Sequence, residues 1–401
     1  MRILLVTETL TAGGAETFVI RLANALAADH AVTLAVLHGE MVNPAIVAKV
    51  AAGVRVEQLR LPAKRWLFKA DTVLRRLGVD WSINRRIQHR WLSKIVKRWS
   101  PDVIHSHLLK ADRMASEIRA ARPGLRHVIT LHGDYAPFLH GQSDPQMLKL
   151  ELQMAAIVEG ADAIAAICRE QVEFVTRQFP AAVAKTLLIY NGYAPWNVER
   201  QPRPADGAGA IVFGMVSRGV ERKGWAKAIA AFGTLPPDAA KLVLVGDGPF
   251  LDKLRQEPIP DGVQFAGFSP DPVEWIERFD VGLLPTEFPH ESLPTVVMEY
   301  LFCGKAVIAT DVGEIGEMLR APGGALAGTL LDFDGDQISA DQLAAAMQAY
   351  LDDPALRRRH AALAPAAFAK FDMGKCAAAY ARLYAEVAGG DSSNSSISAS
   401  H

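Results

Sequence analysis

Cysteine is scarce. The 401 residues hold three, Cys168, Cys303 and Cys376, widely spaced and in no metal-ligand pattern. That excludes a disulfide framework and a cysteine-built zinc site, and it suits reduced thiols in the cytoplasm. Long apolar runs are missing too. None approaches the roughly 18–20 residues needed to span a bilayer. The apolar stretch of the opening "MRILLVTETL" is too short for a secretory signal and reads as a first strand. Neither sign of charge is in excess: 43 Lys and Arg face 44 Asp and Glu, a formal net charge of −1. The chain as a whole has no bias toward nucleic acid or membrane, so any such bias must be local.

Core-forming material is plentiful, with half the residues hydrophobic and 22% charged. Short apolar runs such as Ile3–Val6, Val32–Val36, Ile211–Val216 and Ala306–Ala309 alternate with longer helical segments along nearly the whole chain. Twelve such runs are too many for one ordinary sheet, and continuous apolar strands between amphipathic helices imply parallel sheets covered on both faces. "APWNVERQPRPADGAGA" lacks any hydrophobic period and reads as a linker. The expected division is a first domain over 1–193, a linker over 194–210, a second domain over 211–372, a last helix over 373–390 and a polar, disordered tail over 391–401. Each half is expected to be a doubly wound, Rossmann-like domain, offering a ligand crevice at the carboxyl ends of its strands, with the site between the halves.

The residues able to carry chemistry fall at those strand ends. "RGVERKG" follows Ile211–Val216 directly, so Arg218 and Lys223 share a short loop where a guanidinium fork and an ammonium suit a diphosphate. A solvated basic turn gives the same residues. In "HESLPTVVMEYLFCGKAVIAT", Pro294 suits the first turn of a helix and Gly304 its end. The unpaired N–H groups of Thr295 and Val296 at that start would attract a phosphate. Glu299, a carboxylate within an apolar helix, needs a partner: the diol of a ribose, or an arginine. "VGDGPF" places Gly246 and Gly248 in a tight turn lining the same crevice. In the first half, Gly13 and Gly14 of "TAGGAETF" permit close backbone approach at a helix start, although the stretch is neither a Walker loop nor GxGxxG. His105, His107 and His132 stand at or just after strand ends, where a histidine orients or deprotonates a hydroxyl, and His132 is the foremost of them.

Together these residues resemble the retaining glycosyltransferases of family 4, the group 1 transferases, over Met1 to about Gly390. The most specific element is Glu291 and Glu299 in Glu-x7-Glu spacing within "PTEFPHESLPTVVMEYLFCGKAVIATDVGEIGE". "GGAE", "TLHG", "YNGY", "VGDGP", "DVGLLPT" and Arg218 with Lys223 support it. Ser217, Ser292 and Tyr300 depart from the family's usual glycine, glycine and alanine.

The resemblance implies the GT-B fold, two Rossmann-like domains facing each other across a cleft. It implies a nucleotide-diphosphate sugar (UDP- or GDP-sugar) as donor, whose glycosyl group passes with retention to a hydroxyl of a glycan or lipid-linked acceptor in polysaccharide or lipopolysaccharide synthesis. No cofactor or metal is implied. Glu291, His132, Arg218 and Lys223 would be the catalytic group. Donor binding would fall to Gly14, Arg218, Lys223, Gly246, Glu291, Leu293, Pro294, Thr295 and Glu299, with Glu299 on the ribose. Gly13, His107 and His132 would face the acceptor, and the last helix, including Tyr380–Val387, would cross back onto the first domain. A nucleotide-sugar epimerase or hydrolase of the same fold, and a non-catalytic nucleotide-sugar-binding module, are the alternatives.

One local charge bias remains. Residues 64–98 carry eleven basic side chains against Asp71 and Asp80, a formal charge of +9, with Trp66, Phe68, Trp81, Trp91 and the adjoining Trp99 interleaved. Such segments favour anionic membrane surfaces, which places the protein in the cytoplasm with peripheral contact at the inner face of the plasma membrane. Solvated helices with tryptophans turned into the core, or an RNA-binding face, would share this composition, but no nucleic-acid partner is expected.

Overall fold

The computed structural model describes residues 1–11, 13–61, 71, 82–133, 145–196, 209–289 and 291–389. Most of the expected linker, most of 64–81 and the tail lie outside the described residues. The chain forms two compact units, one from Met1–Gly192 together with the helix Met373–Gly389, the other from Tyr193–Asp372.

The first unit is built on seven parallel strands: β1 (Arg2–Thr7), β2 (Ala31–Val36), β3 (Val54–Gln58), β4 (Val103–His107), β5 (Arg126–Leu131), β6 (Ala163–Ala166) and β7 (Thr186–Leu188). Their order is β3-β2-β1-β4-β5-β6-β7. The second unit has six: β8 (Ile211–Val216), β9 (Ala240–Val245), β10 (Val263–Gly267), β11 (Val281–Leu284), β12 (Ala306–Thr310) and β13 (Gly328–Leu331), ordered β10-β9-β8-β11-β12-β13. Every pairing among these strands is parallel, as the apolar runs require. In both sheets the chain winds outward from a central strand and then returns to its other side. The switch points therefore lie between β1 and β4 and between β8 and β11, where open sheets of this kind bind ligands.

Thirteen strands are found among the described residues, not the twelve expected from apolar runs. The extra one, β3, is an edge strand in which Val54 and Val56 alternate with Arg55 and Glu57, and only Val54 is buried. Half-exposed strands alternate, so this one shows no continuous apolar run.

The helix Ile83–Trp99 covers the first sheet. Ser82 caps it, accepting from the Arg85 N–H, and its buried face of Leu92, Ile95 and Val96 joins the core with Trp91 and Trp99 packed alongside. On these two tryptophans the aromatic half of the membrane reading is corrected: they serve the core. Arg86, Arg90, Lys94 and Lys97 form one exposed stripe at helical spacing, and the helix contains no acidic residue.

The helix Thr295–Phe302 in the second unit begins one residue later than its sequence suggests, because Pro294 has extended backbone and acts as its N-cap. Its end is a Schellman motif. Gly304 at φ 67° donates to the Leu301 carbonyl and Lys305 to the Tyr300 carbonyl, a turn that glycine adopts without strain.

Candidate functional site

At the second unit's switch point, the loop after β8 and the loop after β11 meet through hydrogen bonds between Arg222 and Glu287 and through a largely buried ion pair. Lys223, on a 3-10 turn over Glu221–Lys223, bonds the carboxylate of Glu291. Both side chains are largely buried, at 13% and 12% exposure, so the pair is shielded from water and its partners are mutually required. The Thr286 hydroxyl donates to the same carboxylate oxygen at 3.0 Å. The ring of Phe288 lies 4.9 Å from the Lys223 ammonium. Burial, and after it the guanidinium of Arg218, bring the Lys223 ammonium down to about 8. Arg218 is exposed and forms no ion pair among the described residues. The loop thus presents positive charge without neutralising all of it.

Gly246 explains why this loop holds its place. At φ 151° its missing side chain lets the turn after β9 press against the Ser217 carbonyl, 1.9 Å from where a Cβ would sit. Gly219 N–H then donates to the Asp247 carbonyl at 2.7 Å. Gly246 therefore shapes the Arg218 loop from beneath. Leu293 is buried, Pro294 caps the helix, and Thr295 is the helix's first residue. Glu299 is buried one turn on, and its charge adds to burial in raising the neighbouring Tyr300 hydroxyl.

Tyr300, noted above as a departure from the resembled pattern, is fully buried. Its hydroxyl accepts from the Val216 N–H at 3.0 Å and donates to the Leu283 carbonyl at 3.1 Å. The β8–β11 ladder stops at Met215 and Leu283. The tyrosine thus satisfies the next backbone groups of strands that have begun to part at the switch point.

The first unit's switch point is lined differently. Gly13 is the N-cap of the helix Gly14–Leu26, and Gly14 is its exposed first residue. The space a side chain would take at Gly13 is filled by Glu16, whose carboxylate accepts from the hydroxyls of Thr9 at 2.9 Å and Thr11 at 2.8 Å. At the end of β4, His107 Nδ1 stands 3.0 Å from His132 Nε2, with Phe18 of the first helix against both rings. Behind them runs a buried chain. His105 meets the Tyr384 hydroxyl at 2.6 Å and the Thr130 hydroxyl at 2.7 Å, and Thr130 meets the Tyr380 hydroxyl at 2.8 Å. Burial lowers all three histidines, His132 to about 3 and His105 and His107 well below their usual range, so all are neutral. Among the described residues no three His, Cys, Asp or Glu side chains are grouped to hold a metal ion.

The structure therefore joins His107 to His132, and Lys223 to Glu291, with Arg218 beside the latter. Thr286, Phe288, Glu16 and Thr130 had no assigned role in the sequence reading, and Tyr384 figured only as part of the helix expected to cross back onto the first domain. The only signal was their place in or near the short motifs, because each partner lies far away in the chain or across a turn.

Two family models account for most of the sequence: "Glycosyl transferase 4-like domain" matches residues 13–192, and "Glycosyl transferases group 1" matches residues 199–365. The chain belongs to the group 1 glycosyltransferases. The transferase is 28% identical over 362 residues to the lipopolysaccharide core biosynthesis glycosyltransferase LpsD of Rhizobium meliloti, covering 87% of this chain and 88% of that one. Among solved structures, it is similar to Anabaena HepE in complex with UDP, with TM-score 0.74 at 18% identity over 96% of this chain and 100% of that chain. Sucrose-phosphate synthase from Thermosynechococcus elongatus gives TM-score 0.74 at 20% identity over 97% of this chain and 100% of that chain. At these identities the likeness establishes the fold, which is of the GT-B class.

Proposed function

We propose that the transferase moves a glycosyl group, with retention and without a metal, from a nucleotide-diphosphate sugar to a hydroxyl of a glycan or lipid-linked acceptor in cell-surface polysaccharide or lipopolysaccharide synthesis. The observation that carries this reading is the Lys223–Glu291–Thr286 cluster beside the exposed Arg218, which forms no ion pair among the described residues, at the second unit's switch point and just before a helix start. Departure of the diphosphate builds negative charge on its oxygens. Arg218, the remaining N–H bonds of the Lys223 ammonium and the helix start at Thr295 answer that charge electrostatically. Glu291, held in place by Lys223 and Thr286, contacts the transferred sugar, and Glu299 accepts from the ribose diol. Support for the donor class comes from HepE, solved with UDP and with UDP-glucose, and support for the acceptor class from the name of the Rhizobium relative.

The test is turnover with UDP- and GDP-sugars, first ranked by thermal shift, in chelator and with a lipid-linked or lipopolysaccharide-core acceptor. Transfer that survives EDTA, with the product anomer matching the donor's, supports the reading. Turnover of donor to an epimer or free sugar at the same rate without acceptor would replace it with the epimerase or hydrolase alternative.

The same reading places the protein in the cytoplasm at the inner face of the membrane, through the stripe Arg86, Arg90, Lys94 and Lys97. Arg90, Lys94 and Lys97 are like charges at helical spacing, which repel, and an anionic surface would relieve that repulsion. Attraction would be electrostatic, since Trp91 and Trp99 are engaged in the core. Among the described residues no helix is long and apolar enough to cross a membrane. Co-sedimentation with phosphatidylglycerol vesicles, weakened by salt and by charge reversal of the stripe, is the expected result; equal binding to neutral vesicles would oppose it.

A further inference from the structure

The short contact between the two histidines at the first unit's switch point fixes more than their positions. Both rings are neutral, so the 3.0 Å contact between His107 Nδ1 and His132 Nε2 contains one proton, and two arrangements satisfy it. In the first, His107 donates from Nδ1 and keeps a bare lone pair on Nε2, while His132 carries its proton on Nδ1. In the second, His132 donates from Nε2, and His107 is left with its N–H at Nε2. His107 is fully buried, and its Nε2 has no hydrogen-bond partner among the described residues. A buried N–H without an acceptor is the rarer and costlier orphan, which favours the first arrangement.

His107 is poorly placed to escape the choice by turning its ring. The His105 ring lies against it with centroids 4.1 Å apart, and Phe18 stands edge-on at 6.2 Å. His105 is in turn held at both nitrogens. A phenol is a better donor than acceptor, so Tyr384 donates to Nδ1 of His105, and Nε2–H of His105 donates to Thr130. The helix Met373–Gly389, through Tyr384 and Tyr380, thus braces the wall behind His107.

We propose that His107 is a positioning residue that holds His132 with its proton on Nδ1, so that His132 serves as a hydrogen-bond donor to a substrate oxygen and not as a general base. The second half of this statement rests on the glycosyl-transfer reading; the first half does not. The low basicity of His132 agrees, since a ring this hard to protonate is a weak base.

Nitrogen-15 NMR of the full chain with labelled histidine reads the tautomer directly. The expected spectrum shows His132 protonated at Nδ1 and pyridine-like at Nε2; the reverse pattern overturns the proposal. Variants then test the consequence. His107→Asn keeps a donor near the Nδ1 position and is expected to keep the His132 tautomer and to retain more of kcat than a substitution that offers only acceptors. His107→Asp offers only acceptors, draws the proton to Nε2 of His132, and is expected to lower kcat by about tenfold or more, the equivalent of one lost hydrogen bond, with donor KM little changed. Equal losses in the two variants would mark His107 as merely structural and overturn the positioning role. An Nδ1-protonated His132 in a chain that transfers no sugar would uphold the tautomer and overturn the functional reading instead.

Discussion

Lys223 is the residue on which pH acts most directly. Burial and Arg218 bring its ammonium down to about 8 in the unliganded site, and an anionic diphosphate favours the charged form, so donor binding between pH 8 and 9 should take up protons. Donor affinity is therefore expected to fall as pH rises above about 8, and calorimetry in buffers of different ionisation enthalpy checks both statements. The two carboxylates should separate by kinetic signature. Glu299→Gln is expected to raise the donor Kd about tenfold by losing hydrogen bonds to the ribose, while Glu291→Gln chiefly lowers kcat. Steady-state kinetics with a titrated donor distinguishes them, and variants with identical profiles would refute the division of labour. The motif residues were legible because each sits at the end of an apolar strand. Their partners were not, since Lys223 and Glu291 are 68 positions apart and His105 and Tyr384 are 279 apart. No local pattern announces such pairings.

Among the elements, the parted strands β8 and β11 depend on a single hydroxyl. Tyr300→Phe leaves the Val216 N–H and the Leu283 carbonyl without their partner, at a cost of about 1–3 kcal/mol. At roughly 2–4 °C per kcal/mol for a unit of this size, differential scanning calorimetry should record a fall of several degrees in the second unit's melting. An unchanged melting temperature would mean the strands close on each other without the tyrosine. The sequence marked Tyr300 only as a departure from the family pattern, because a hydroxyl's reach across two strands depends on packing that spacing does not encode. Strands of the parallel sheets were readable as apolar runs because helices cover both their faces, while β3 at the edge alternates and escaped notice. The helix Ile83–Trp99 teaches the same lesson in reverse: its basic stripe was visible in composition, but only packing shows that Trp91 and Trp99 face inward.

Over the whole molecule, charge burial is uneven between the units. His105, His107, His127 and His132 are held neutral in the first unit by burial. In the unfolded chain each takes a proton below about pH 6.5, whereas the folded rings of His127 and His132 refuse one until about pH 3. Their contribution is intact above 6.5 and is lost as pH falls, by about 1.4 kcal/mol per pH unit for each histidine. Asp112, raised by burial, titrates in the opposite sense and offsets part of this. Urea unfolding at pH 7.5 and pH 5, with hydrogen exchange locating the first opening, should find the first unit failing first in acid. The division into two units followed from strand number and linker composition, yet the nucleotide base, the sugar and the acceptor are written nowhere in such patterns. The claim at the centre is that Arg218 and Lys223, on the loop that Glu291 braces, hold the donor diphosphate. It is tested most directly by calorimetric titration of UDP, GDP, ADP and CDP into the full chain and its Lys223→Met variant. One nucleotide should bind at one equivalent and lose about tenfold or more in affinity in the variant; equal affinity in both proteins would contradict the assignment.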